Sequence, residues 1–240
     1  MIEAIEGAGD ILIVVDHASA HVPDDIDLGI DPALLREHIA VDIGAAPLAR
    51  MLAARLDARA LLAGQSRLVI DLNREADHPR VVPTESDGHA IPGNIGVDVT
   101  TRVARFHAPW HAAIAAAIAE RAPTLIVSLH SFTPALASAP TARPWEIGIL
   151  YNRDDRAARI AIPALGGAGV LVGDNEPYSG KLLNATMNRH AEVKGLPYLG
   201  IEVRQDLIGD DAGIDRWSEI LAPLIEETRN GLASFCRSAT

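Results

Sequence analysis

Apolar runs that end in histidines, alternating with alanine-rich helical stretches, predict an α/β fold: three layers, with a mostly parallel sheet flanked by helices. Ile11–Val15 is unbroken by any polar residue, and Leu125–Val127 opens a second such run. Strands covered on both faces read this way, whereas a half-exposed strand alternates. The first run leads straight into Asp16-His17-Ala18-Ser19 and the second into His130-Ser131. In a parallel sheet both ends fall on one rim, the favoured place for a site in an open α/β sheet.

The remaining elements follow from local signals. Asp31-Pro32 starts a short helix that runs to Arg36. A longer helix is expected over Ile43–Leu56, where Pro47 is tolerable only in the first turn and Asp42 is a natural N-cap. Asp42 has a second reading, as a carboxylate aimed into the cleft, with His38 four residues earlier as a partner. Leu68-Val69-Ile70 reads as a short buried strand with Arg67 at one end and Asp71, Asn73 and Arg74 at the other. Turn formers crowd the stretch between Arg74 and Thr100, which predicts a functional loop or lid carrying His78 and His89. Arg102–Glu120 reads as a helix. His107 and His111 have metal-chelating i, i+4 spacing there, but Pro109 between them favours a supporting or packing role for His111. Strands are expected at Glu146–Tyr151, Val170–Val172 and Leu199–Arg204, and a short helix at Thr186–Val193. An amphipathic helix over Ile214–Ser234 closes the chain, with Trp217, Ile220, Leu221, Leu224 and Ile225 on its buried stripe. Without repeat or linker, residues 1–240 read as one domain.

Composition narrows the function. A net charge of -11 opposes nucleic acid and anionic membranes as partners. It leaves room for an anionic small molecule, since a local arginine cluster dominates a small pocket. The single cysteine, Cys236, excludes an intrachain disulfide and a cysteine metal cage. An acidic N-terminus without a secretory pattern leads us to expect a cytoplasmic protein, a monomer or small homo-oligomer. No nucleotide-binding glycine signature follows the first strand, and no Gly-x-Ser-x-Gly elbow is present.

The chemistry concentrates around Ser66–Arg74. Two arginines and an aspartate beside an apolar run need partners. They either pair with one another as a structural network or grip a carboxylate, for which the planar guanidinium is suited. His17 can be read as a metal ligand, a base or a loop histidine. Glu202 and Arg204 end another strand, and Tyr178 lies in a polar loop from Asn175 to Gly180.

In their order along nearly the whole chain, these motifs resemble the N-formylglutamate amidohydrolase family. The resemblance is carried by Asp16-His17-Ala18-Ser19 with Val22-Pro23, His38-x-x-x-Asp42-x-Gly44-Ala45, Ser66–Arg74, Pro109-Trp110-His111, Asn175–Gly180 and Ile201–Ile208. A deeper similarity is to the zinc carboxypeptidases, so the fold it implies is zinc-exopeptidase-like. By that resemblance His17 and His130 are metal ligands, Glu202 is the catalytic glutamate and Arg67 stabilises the oxyanion. Asn73 and Arg74 hold the substrate carboxylate, and Tyr178 stands where a mobile tyrosine does.

The chain departs from the carboxypeptidases at one point: their ligating glutamate, three residues after the first histidine, is replaced by Ala20. Asp42, chosen over His21, is then the third ligand of a Zn²⁺ or another divalent metal. The activity implied is hydrolysis of an N-formyl or N-acyl amino acid, N-formyl-L-glutamate first among them, with Arg204 gripping a second carboxylate. A deacylase for another N-acylated compound, and a carboxylate-binding homologue without catalysis, are the alternatives.

Overall fold

The structure, a computed structural model, describes residues 1–238; side chains from residue 234 onward, that of Cys236 included, lie outside the description. Its elements run in the order β1 (Glu3–Ile5), β2 (Ile11–Val15), a 3₁₀ turn at Pro32–Arg36, α1 (Ala45–Leu56) and β3 (Arg59–Leu62). A small hairpin follows, β4 (Glu85–Ser86) and β5 (His89–Ala90). Next come α2 (Val99–Arg102), a π turn at Val103–His107, α3 (Ala108–Glu120), β6 (Leu125–Phe132) and β7 (Ile147–Leu150). The chain finishes with α4 (Ala158–Gly167), β8 (Val172–Asp174), α5 (Ala185–His190), β9 (Tyr198–Arg204) and α6 (Asp211–Ser238).

One sheet of seven strands, ordered β1-β3-β2-β6-β9-β7-β8, organises these elements. The run β3-β2-β6-β9 is parallel throughout, β1 and β7 join it antiparallel, and β8 pairs parallel with β7. This is the mostly parallel, helix-flanked sheet expected from the alternating runs. Because side chains alternate along a strand, each strand feeds two cores. Ile11, Ile13, Val127, Leu129, Leu199 and Ile201 pack with residues of α1, α4 and α6. Leu12, Val14 and Ile126 face the other way, against Trp110 and Ile114 of α3 and Met187 of α5. His130 and Glu202 share the parity of Ile126, so both point to that second face.

Several expectations need correction. Leu68, Val69 and Ile70 are buried, but in a turn rather than a strand: Ser66 Oγ accepts the Leu68 N–H at 3.2 Å and donates to the Ala40 carbonyl at 2.8 Å, while the Val69 N–H donates to Ser66 O. A buried turn leaves carbonyls to satisfy. Asn94 Nδ2 donates to Leu68 O and Arg102 Nη1 to Val69 O, each within 2.8 Å. Pro109 does not start the 102–120 helix; a π turn precedes it, and His107 stays on the helix. The cap of α1 is Gly44, at φ 79°, not Asp42. Four strands escaped the sequence reading: β1 and β3 of the main sheet, and the β4–β5 hairpin inside the stretch expected to be a loop. β3 is short and begins with an arginine that is itself buried and donates to the carbonyls of Ala117 and Arg121. No helix among the described residues is long and apolar enough to cross a membrane.

Candidate active site

The carboxyl ends of β2, β6 and β9 meet the Ser66–Arg74 turn at a cavity of about 180 Å³. His17 follows β2 directly. Asp42 reaches the same spot because its N–H donates to the His17 carbonyl at 3.0 Å, and because the chain reverses at Gly44, where a Cβ would lie 2.2 Å from the Ile208 carbonyl oxygen. His130 and Glu202 are register partners on adjacent parallel strands and therefore neighbours on one face.

The ring nitrogens of the two histidines are sorted. Nδ1 of His17 lies 3.3 Å and Nδ1 of His130 2.8 Å from the same oxygen, Asp42 Oδ2. Nε2 of His17 is 2.8 Å from Asp71 Oδ1, and Nε2 of His130 is 3.4 Å from Asp16 Oδ2. Each imidazole thus turns one nitrogen inward and the other to its own carboxylate, the arrangement that fixes a metal-ligating histidine. Donor atoms of His17, Asp42 and His130 all lie within 4.8 Å of one another, and all three residues are buried. This donor set can hold a metal ion, and two imidazoles with a carboxylate are a familiar catalytic zinc set. Beside it the buried Glu202 Oε2 has no hydrogen-bond partner, an orphaned acceptor facing the cluster's strand neighbour His130.

Electrostatics follow from this crowding. Burial opposes charge on both rings. Contacts with Asp16 and Asp42 nevertheless lift His130 well above the usual histidine range, and the fields of Asp71 and Asp42 raise His17. Asp71 falls well below the usual carboxylate range despite its burial, held there first by Arg67 and then by His17. Glu202 moves the other way, pushed up to about 7 by burial and by Asp42 against the pull of His130 and Arg67. A carboxyl that titrates near neutrality is suited to exchange protons.

Most residues singled out from sequence converge here. Arg67, Asn73, Arg74 and Tyr178 line the cavity with His17, Asp42, His130 and Glu202. Arg67 donates to both Asp42 Oδ1 and Asp71 Oδ2, and Arg74 donates to Asp71 Oδ2. The network reading and the carboxylate-grip reading are therefore compatible, since Asp71 ties the arginines to one wall. Tyr178 is delivered by a loop that lies close on the sheet; at Gly148 and Gly173 a Cβ would meet Glu176 O at 2.2 and 2.4 Å. Its hydroxyl accepts from Arg143 Nη1 at 3.0 Å.

Arg204 is the exception. It donates to Asp206 and to the carbonyls of Pro144 and Trp145, and it does not line the cavity. His21, the rejected third ligand, is exposed. His38 lines the cavity, but its acidic neighbour is Asp87 at 3.0 Å rather than Asp42. Sequence reasoning missed Asp16 and Asp71 as the carboxylates behind the two histidines. A signal was present, since Asp16 adjoins His17 and Asp71 sits in the arginine motif, but only the fold shows which ring each one serves.

Comparison with known proteins adds a family and a fold match. Residues 9–209 match the sequence model of the N-formylglutamate amidohydrolase family. A gene product of Agrobacterium tumefaciens shares 32% identity and superposes with a TM-score of 0.90, over 98% of this chain and 95% of its own. An N-formylglutamate amidohydrolase from Ralstonia eutropha has the same fold at 18% identity, with a TM-score of 0.68 over 99% of this chain and 98% of its own. Among curated protein sequences none matches significantly.

Proposed function

Since the chain belongs to the N-formylglutamate amidohydrolase family, we propose that it is a metal-dependent amidohydrolase that cleaves the amide of an N-formyl or N-acyl amino acid. N-formyl-L-glutamate is the leading substrate, yielding glutamate and formate. The observation that carries this reading is the convergence of His17, Asp42 and His130 on one point, with the unpartnered Glu202 carboxylate beside them. A divalent cation held by those three residues, zinc first, would polarise the amide carbonyl and acidify water.

The chain's own groups supply the rest. Glu202 takes the proton from water as its oxygen bonds to the carbonyl carbon. It then gives that proton to the nitrogen as the C–N bond breaks. Arg67 stabilises the developing oxyanion with the N–H groups its aspartates leave free, an effect worth about 3 kcal/mol where such a donor has been removed from other enzymes. The α-carboxylate sits on Arg74 and the amide nitrogen of Asn73, whose carbonyl oxygen already accepts from the Thr186 N–H. Tyr178 lines the same cavity.

The placement of Arg204 supports a second reading. With that cation held by Asp206 outside the cavity, an N-acyl amino acid without an acidic side chain fits as well as N-formylglutamate. A panel of N-formyl and N-acyl amino acids, assayed with and without zinc, separates the two. In the same assay Glu202→Gln should retain its metal and lose turnover by at least about a hundredfold. Unchanged turnover would remove Glu202 from the reaction.

A further inference from the structure

Outside the metal-type cluster lies a second group of buried histidines, His107, His111 and His190, contributed by the π turn, α3 and α5. His111 Nδ1 is 2.9 Å from His190 Nε2, and His111 Nε2 is 3.2 Å from His107 Nε2. Two of the rings also reach backbone carbonyls: Leu72 O lies 3.1 Å from His111 Nε2 and Arg74 O lies 2.9 Å from His107 Nε2. Those carbonyls flank Asn73 and belong to the turn that carries the cavity-lining Asn73–Arg74 pair.

Hydrogen-bond chemistry fixes the proton positions. A carbonyl only accepts, so Nε2 of both His107 and His111 carries a hydrogen, and the 3.2 Å approach of those two nitrogens is a contact rather than a hydrogen bond. With the His111 ring neutral, its Nδ1 is a lone pair, and His190 Nε2–H donates to it. Burial presses His111 down to about 3 and His190 to about 4, in keeping with neutral rings at physiological pH.

We propose that these histidines fix the Asn73–Arg74 turn by two directional hydrogen-bond lines, His190 to His111 to the Leu72 carbonyl and His107 to the Arg74 carbonyl, making His107 and His111 positioning residues for the substrate carboxylate. The carboxylate role of Asn73–Arg74 is taken from the proposed function. The positioning claim adds that a turn without ladder partners keeps its geometry through ring N–H groups from a rigid helix. A solvent-filled substitute would let Arg74 swing while leaving the metal-type cluster and Glu202 in place.

The test combines nitrogen NMR of histidine-labelled protein with kinetics of metal-loaded enzyme on N-formyl-L-glutamate. At pH 8 the spectrum should show a hydrogen on Nε2 of both His107 and His111, with His111 in its neutral tautomer. A neutral Nδ1–H form at either ring, or an imidazolium at His111, would overturn the assignment whether or not the substrate is turned over. In kinetics, His107→Leu should raise KM about tenfold and change kcat by less than about threefold, the scale of one lost bond to a buried carbonyl. His107→Gln, whose amide N–H reaches the same carbonyl, should return KM to within about threefold of wild type. A KM unmoved in His107→Leu, or a Gln variant no better than Leu, would overturn the positioning role. If the Leu variant does not fold, the Gln variant and the spectrum decide. Wild-type protein inert toward the whole substrate panel would count against the proposed function alone, leaving the tautomers to judge the two hydrogen-bond lines.

Discussion

At the scale of single residues, the site is a set of carboxylates that hold the basic groups around them in chosen orientations. Asp16 shows the logic. Its Oδ1 accepts from Trp110 Nε1 at 2.7 Å and from Thr186 Oγ1 at 2.9 Å, which leaves Oδ2 facing His130 Nε2. Asp16→Asn retains the first two bonds and loses the charge behind the imidazole. Zinc affinity measured by calorimetry should then fall about 10–100-fold with the fold intact; unchanged affinity would mean that Asp16 does not tune the site. His190 offers a pH-dependent counterpart. Its folded-state pKa, about 4, lies below the ordinary 6.5 because of burial and the charges of Lys194 and Arg189, opposed by Asp16. As pH falls, the unfolded chain takes up the proton first, so the stabilisation is complete above about 6.5 and is lost on the way down to about 4. Denaturant titrations of wild type and His190→Gln should show the wild type losing ground to the variant across that window. A difference that does not vary with pH would contradict the shift.

At the scale of elements, glycines let loops lie against the sheet close enough to bring their polar residues into the cavity. Gly148 neighbours Glu202 across the β7–β9 ladder, and the Glu176 carbonyl occupies the space its side chain would need. Gly148→Ala should therefore destabilise the protein by about 1–3 kcal/mol and displace Tyr178, raising KM more than it lowers kcat; a neutral effect on both stability and KM would show that the loop yields freely. What the sequence disclosed at this scale depended on pattern. Continuous apolar runs marked β2, β6 and β9, and their ends delivered His17, His130 and Glu202 correctly. The Leu68–Ile70 run is equally apolar yet forms a turn, because three buried residues fit either geometry and the deciding partners, Asn94 and Arg102, lie far along the chain. Asp42 was legible as either cap or site carboxylate; Gly44 at positive φ, which takes over the cap, resolved the choice. Arg204 misled because an arginine at a strand end does not say which way it turns, and Asp206 two residues later captured it.

At the scale of the whole molecule, parallel topology is what turns scattered residues into a site. β2, β6 and β9 run side by side in one direction, so residues 113 and 72 positions apart in the chain, His17 to His130 and His130 to Glu202, end on one rim. The helices of α1, α4 and α6 close one face, which leaves the other for α3, α5 and the Ser66–Arg74 turn to build the cavity walls. The overall charge of -11 is no obstacle to an acidic ligand, because Arg67 and Arg74 line the cleft while most acids lie elsewhere. The whole account rests on a metal ion at the meeting point of three strands' worth of sequence. Anomalous diffraction at the zinc edge, from crystals grown with zinc, tests this directly. It should give one strong peak about 2.0–2.2 Å from His17 Nδ1, His130 Nδ1 and an Asp42 oxygen. Zinc found only at surface sites, with those three donors bonded to one another, would contradict it.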